Sequence, residues 1–178
     1  MSAVAAASLL AGFGWAPGVA QGVGQVVPCS TSALLTAISD ADNGSAPGTL
    51  NLARGCKYEL TAIDNYWYGP NGLPPISTTI AINGNGAALV RDVSANLPPF
   101  RFFFVGADPS SPATAGWSTP GAGVLTLNNL TLAGGVARGG DGSGGGLGAG
   151  GAIFSQGTVT LTDVTLTANP ARGGDGGP

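Results

Sequence analysis

Residues 125–142, LTLNNLTLAGGVARGGDG, return 34 positions later as VTLTDVTLTANPARGGDG at 159–176, with ten of the eighteen aligned pairs identical. A repeat on this scale is one small unit that cannot bury an apolar face alone and gains a core by stacking on its neighbour. Each unit holds two alternating runs: Leu125-Thr126-Leu127 with Leu130-Thr131-Leu132, and Val159-Thr160-Leu161 with Val164-Thr165-Leu166. Period two is strand periodicity, aliphatic on one face and Thr on the other. Between the runs stand Asn128-Asn129 and Thr162-Asp163, and there the apolar parity changes, from 127 to 130 and from 161 to 164. A bend needs that change if both runs aim their aliphatic side chains at one axis, and Asn and Asp accept the left-handed backbone of such a corner.

A third apolar piece, Gly151-Ala152-Ile153-Phe154, turns at Ser155-Gln156-Gly157. Three inward-facing strands per unit predict an all-β chain folded as a parallel β-helix, a solenoid of about five coils in one domain. The excess length of the unit is Gly134–Gly151, where eleven of eighteen residues are Gly, which predicts a loop thrown out from the coil. Ser30-Thr31-Ser32 caps a predicted helix from Ala33 to about Ala41, with Leu34, Ile38 and Ala41 on one face and Asn43-Gly44 as its stop. Laid across the first coil, that helix closes its apolar end. Strands are expected at 49–52, 57–60, 79–82 and 88–91, with a corner at Asn83-Gly84-Asn85-Gly86. Phe100–Val105 is the most apolar segment, and Asp108–Pro120 reads as a loop. Residues 21–178 form the expected domain. Its last coil has no cap, which predicts both a unit continuing past residue 178 and end-to-end self-association.

Net charge is −3, only 8% of residues are charged, Lys57 is the single lysine and there is no histidine. Such a chain is no candidate for nucleic acid or an anionic membrane surface, and it lacks the commonest general base and metal ligand. Met1–Val27 carries no charge, and the apolar run Ala3–Trp15 is too short to span a membrane but has the length of a signal-peptide core. Residues 1–20 are therefore expected to be a leader cleaved after Ala20, placing the protein outside the cell or on its surface. No basic residue precedes the run, which leaves an upstream start or an atypical leader as alternatives. In an exported chain Cys29 and Cys56 form one disulfide, worth about 3 to 4 kcal/mol on the chain-entropy model. The alternative is a pair of buried thiols.

Candidate chemistry is sparse. The nine acidic residues are scattered, and the one close pair, Asp40 and Asp42, falls at the end of the predicted helix. Asp163 shares its position with Asn129, which marks a turn role rather than a catalytic one. Arg91, Asp92 and Arg101 read as solvated strand ends. Arg138-Gly-Gly-Asp141 and Arg172-Gly-Gly-Asp175 lack the nine-residue period of calcium-binding Gly/Asp repeats, so they read as a flexible loop with weak Arg–Asp pairing and no metal. Thr-x-Thr pairs at 160–162 and 165–167 do not persist one unit earlier, which argues against an ice-binding face. Tyr66-Trp67-Tyr68, between Asp64 and Pro75, is the one aromatic cluster outside a strand and the candidate binding site, by stacking on a sugar ring. Packing of the same loop over the fold is the competing role. No catalytic residue and no cofactor is indicated.

Cys29-x-x-x-x-Leu34, Thr49-Leu-Asn-Leu, Gly55-Cys56-x-Tyr58-x-Leu60, Ile80-x-Ile82-x-Gly84-x-Gly86-Ala87, Leu125-Thr-Leu-x-Asn129-Leu-Thr-Leu and Gly150-Gly-Ala-Ile together resemble bacterial right-handed parallel β-helix repeat proteins of the pectin-lyase-like fold. The resemblance runs from Cys29 to the C-terminus and is specific for fold. It implies an exported structural or adhesive module, non-catalytic, whose partner is cell-surface or extracellular polysaccharide. The alternative it implies is the N-terminal part of a polysaccharide lyase or glycoside hydrolase. Such hydrolases use paired carboxylates, and such lyases use acidic calcium ligands beside an Arg or Lys base.

Overall fold

The computed structural model describes residues 24–93, 97–107 and 123–177. The expected leader at 1–20 and the expected loop at 108–120 lie outside the described residues. In chain order the elements are β1 Gln25–Val27, α1 Thr31–Asp42, β2 Thr49–Leu52, β3 Lys57–Leu60, β4 Thr79–Arg91, β5 Phe103–Val105, β6 Val124–Ala133, β7 Ala137–Arg138, β8 Ile153–Ser155, β9 Thr158–Thr167 and β10 Ala171–Arg172.

Alternation dictates the strands and their register. One parallel sheet runs β1-β2-β4-β6-β9, with β3 also paired to β4; two further two-stranded parallel sheets are β5-β8 and β7-β10. Like residues meet across the long sheet. Leu50, Ile82, Leu127 and Leu161 form one column, and Tyr58, Leu89, Leu132 and Leu166 another. Asn side chains do the same on the other face: Asn83 Nδ2 donates to Asn51 Oδ1 at 2.9 Å, and Asn128 Nδ2 donates to Asn83 Oδ1 at 3.0 Å.

The corners behave as the parity change requires. Asn129 (φ 49°) and Asp163 (φ 54°) take the left-handed conformation in successive layers, and on either side of Asn129 burial alternates with opposite parity. In β4 the same corner is the irregularity at Asn83–Ala87, with Asn85 at φ 54° and Gly86 at φ 77°. Asn85 Nδ2 donates to the Leu52 carbonyl at 2.9 Å, tying this corner to the layer before it.

The closed right-handed β-helix expected from the repeat and the resemblance is not what forms. Among the described residues the strands lie in three separate parallel sheets that do not close on one another, with one short helix beside them. The expectation required a third strand in every unit. That third element is only three residues long in β5 and β8, and between β3 and β4 the segment Thr61–Thr78 runs through turns and isolated bridges instead. Pro70, Pro74 and Pro75 fall in that segment and offer no N–H to a ladder.

The Gly-rich stretch also differs from the expected free loop. Gly139 N donates to Arg172 O at 2.9 Å and Gly142 N to Asp175 O at 3.0 Å, so the two Arg-Gly-Gly-Asp-Gly turns stack in register. Gly146 is held between them: its N–H donates to Gly140 O at 2.6 Å and its carbonyl accepts from Gly174 N at 2.9 Å. A Cβ at Gly139 would strike the Gly146 carbonyl, and one at Gly148 the Arg172 carbonyl. Glycine is needed here because backbone packs on backbone, which no side chain permits.

The helix forms as predicted, two residues longer at its start and one at its end. Ser30 accepts from Ala33 N as N-cap, Asn43 ends the helix, and Gly44 follows at φ 78°. Leu34, Ala37, Ile38 and Ala41 are buried against β1 to β4. Cys29 and Cys56 form a disulfide with a Cα–Cα distance of 5.6 Å, fastening the segment before α1 to the start of β3. Beside it, Tyr58 is buried; its hydroxyl donates to Val27 O at 3.2 Å and accepts from Ala53 N at 3.1 Å. Burial raises the Tyr58 pKa, and the bond from Ala53 partly offsets it.

Reducing the disulfide, or replacing Cys29 with Ser, is expected to remove about 3 to 4 kcal/mol and lower the midpoint by about 10 °C. Thermal unfolding by circular dichroism with and without reductant measures this, and an unmoved midpoint refutes the role given to the staple.

Candidate binding surface

The loop between β3 and β4 is built on two asparagines. Asn65 Oδ1 accepts from Trp67 N at 3.1 Å and from Asn71 Nδ2 at 2.8 Å. Asn71 is fully buried, and its Nδ2 also reaches the Trp67 and Gly69 carbonyls, both at 2.9 Å. Its backbone closes the base of the loop, with Asp64 N donating to Asn71 O at 2.7 Å and Asn71 N to Asn65 O at 2.9 Å.

This base sets the three aromatic residues picked out in the sequence in different environments. Tyr66 is 71% exposed, whereas Trp67 and Tyr68 are half-buried. Tyr68, at φ 51°, stacks on Phe104 with ring centroids 5.3 Å apart, and Trp67 meets the same ring edge-on at 5.9 Å. Phe104 lies beside Phe154 of the next layer at 6.2 Å, as their strand register dictates. The loop thus covers Phe104 on the outward face of β5, while Phe103 and Val105 are buried in the core. Tyr66 alone of the three stands fully at the surface, with Trp67 and Tyr68 presenting only partial faces beside it.

Arg101 is not the solvated strand end that its sequence suggests. It is 5% exposed, its Nη2 donates to Tyr68 O at 3.0 Å, and its guanidinium lies 5.0 Å above the Phe154 ring. Its Nε and Nη1 find no hydrogen-bond partner among the described residues. Desolvation lowers the Arg101 pKa from the usual guanidinium range. The ring attracts the cation through its quadrupole and replaces part of the lost hydration. No sequence pattern marked Arg101, because its partners come from residues 33 and 53 positions away.

The other candidates are engaged in structure. Asp42 accepts from Ser77 N and Oγ at 2.7 and 2.6 Å and from Thr78 N and Oγ1 at 2.9 and 3.0 Å, joining α1 to the approach to β4. Arg91 Nε donates to Gly134 O at 2.8 Å, and its guanidinium lies over Phe100. Arg138 pairs with Asp141 at 3.2 Å and with Asp175 at 3.5 Å. Asp141 Oδ1 accepts from Asp175 N at 2.8 Å; that bond, then Arg138, lowers the carboxyl pKa. Arg138 and Arg172 stand side by side along a groove of about 550 Å³ that Pro99, Val136 and Pro170 also line. Among the described residues no three metal-ligating side chains converge, and no helix is long and apolar enough to cross a membrane.

Comparison with protein-family models, with curated proteins and with solved structures finds no match to this chain.

Two substitutions separate the loop's base from its cation. Asn71→Ala is expected to cost about 2 kcal/mol, since it strands the half-buried Trp67 and Gly69 carbonyls and removes the side chain that holds the loop. Arg101→Met is expected to be neutral or stabilising, because no carboxylate among the described residues pairs with this desolvated cation. Chemical denaturation of both variants measures the difference; a larger loss at Arg101 than at Asn71 refutes it.

Proposed function

We propose that this chain is an exported structural or adhesive module: a rigid scaffold of stacked strands that meets extracellular or cell-surface polysaccharide through the loop carrying Tyr66. The supporting observation is what its polar side chains do. The Asn51–Asn83–Asn128 ladder bonds from one layer to the next along the stack, and Arg138 and Asp141, paired within one turn, each reach Asp175 of the next. The three Asn amides are spaced one strand apart and bond to each other, and Arg138, Asp141 and Asp175 offset one another's charge. The disulfide fits an oxidising compartment, and the apolar run at Ala3–Trp15 fits an export signal. Tyr66 supplies a flat apolar ring at small entropic cost beside the half-buried Trp67 and Tyr68, which suits the face of a pyranose.

Affinity electrophoresis through gels containing neutral or acidic polysaccharides tests the reading. At least one glycan is expected to retard the chain, and Tyr66→Ala to weaken the retardation about fivefold, the equivalent of roughly 1 kcal/mol of stacking. The same glycans incubated with the protein, with and without calcium, should give no unsaturated or new reducing-end product. Product formation would overturn the scaffold reading in favour of a polysaccharide lyase or hydrolase.

A further inference from the structure

Asn is followed by Gly four times in the chain: Asn43-Gly44, Asn71-Gly72, Asn83-Gly84 and Asn85-Gly86. In this dipeptide the glycine nitrogen, with no Cβ beside it, can attack the Asn side-chain carbonyl carbon and close a five-membered imide. The attack requires the peptide plane between the two residues to turn, so the fold decides which of the four can react. Three are held. Asn71 is fully buried with its Nδ2 on three acceptors, and a Cβ at Gly72 would strike Phe100 and Leu60. Asn83 both donates and accepts in the amide ladder, and a Cβ at Gly84 would strike the Asn129 carbonyl and Leu130. Asn85 is exposed, but its Nδ2 is bonded to Leu52 O and its own carbonyl accepts from Gly55 N at 3.2 Å. It also lies within β4, which is paired on both sides.

Asn43-Gly44 differs from these. It ends α1, both residues are exposed, and nothing lies within 4 Å of where a Gly44 Cβ would be, so the peptide plane has room to turn. Gly44 N donates to Ala41 O at 3.3 Å, a long and weak bond. Ser45 N donates to Asn43 Oδ1 at 2.9 Å, shared with Asp40 O at 2.8 Å. Oδ1 is the atom on which negative charge develops when Cγ is attacked, so this N–H stabilises the transition state as an oxyanion hole does. We propose that Asn43 is a self-modifying site, converted by its own backbone to aspartate and isoaspartate. Gly44 N loses its proton to solvent hydroxide and bonds to Asn43 Cγ, and the Cγ–Nδ2 bond breaks with release of ammonia. Water then opens the imide, giving aspartate where the new Cγ–N bond breaks and isoaspartate where the backbone C–N bond breaks. One water is consumed for each ammonia released. The product adds a negative charge to a chain of net charge −3. That charge falls at the C-terminal end of α1, where the free carbonyls disfavour an anion and the last turn has no basic residue. Asp42 next to it carries the four bonds to Ser77 and Thr78, so the conversion loosens the joint between helix and sheet.

The full chain with its disulfide intact is aged in mildly alkaline buffer and followed by peptide mapping with mass spectrometry, an isoaspartate assay and ammonia release. Asn43 is expected to convert at least about tenfold faster than Asn71, Asn83 or Asn85, a factor equivalent to about 1.4 kcal/mol of local opening. Its rate should rise in proportion to hydroxide. In denaturant with reductant the four sites should convert at similar rates, because the selection belongs to the fold. Asn43→Gln, which would have to close a six-membered ring, should leave position 43 unmodified over the same period. Asn43→Asp, which copies one product, should lower the thermal midpoint by about 2 °C. Equal native rates at the four sites, or faster conversion at Asn85 than at Asn43, overturns the proposal. An unmoved midpoint in Asn43→Asp overturns the effect assigned to the added charge.

Discussion

The parallel register of like aliphatic residues is the constraint on which the rest of the molecule depends. Leu50, Ile82 and Leu127 are each fully buried, and so are Tyr58, Leu89 and Leu132, yet no single strand encloses any of them. Each is covered by its counterpart one layer on, so burial worth about 1.5 to 3 kcal/mol per side chain exists only while neighbouring layers stay in register. A slip of one residue would turn every one of these columns outward. The Asn51–Asn83–Asn128 ladder opposes such a slip, because a shifted amide would lose both its donor and its acceptor.

Layers held in this way must turn between strands without losing alignment, and two devices do it. Asn85, Asn129 and Asp163 supply a left-handed residue at the same corner in successive layers, and the inside–outside parity changes there together in β6 and β9. On another side, glycines let the Arg-Gly-Gly-Asp-Gly turns approach until backbone bonds to backbone. The aromatic loop then covers what the strands leave open. Phe104 faces away from the core, and Tyr68 and Trp67 shield it, with Asn71 holding the loop's shape from within.

The repeat made strand periodicity and the corner residues legible, the capping residues Ser30 and Asn43-Gly44 made the helix legible, and the pairing of Cys29 with Cys56 followed from their being the two cysteines of a chain read as exported. The strands, corners and helix depend on residues near one another in sequence or on a pattern repeated at fixed offset. The global closure was not legible, because it assumed that the third strand recurs in every unit, whereas Thr61–Thr78 carries prolines and turn residues in its place. The Gly-rich segment misled for a related reason: high Gly content is read as chain freedom, but here it signals close backbone approach, which only the three-dimensional neighbour reveals. Arg101 was hidden because its environment comes from Tyr68 and Phe154, far apart in the chain. At the candidate site the aromatic triplet itself was visible in the sequence. Its division into one displayed ring and two packed ones follows from Asn65 and Asn71, whose role depends on the fold of the loop.

If layer-on-layer register holds the molecule together, its strands should open as one unit. Residue-resolved amide hydrogen exchange on the disulfide-intact chain measures this directly. Amides bonded between β2, β4 and β6 are expected to form a single slowest class that exchanges with one common opening free energy. Independent and faster exchange of Val124–Ala133, with slow exchange confined to α1, would contradict the account.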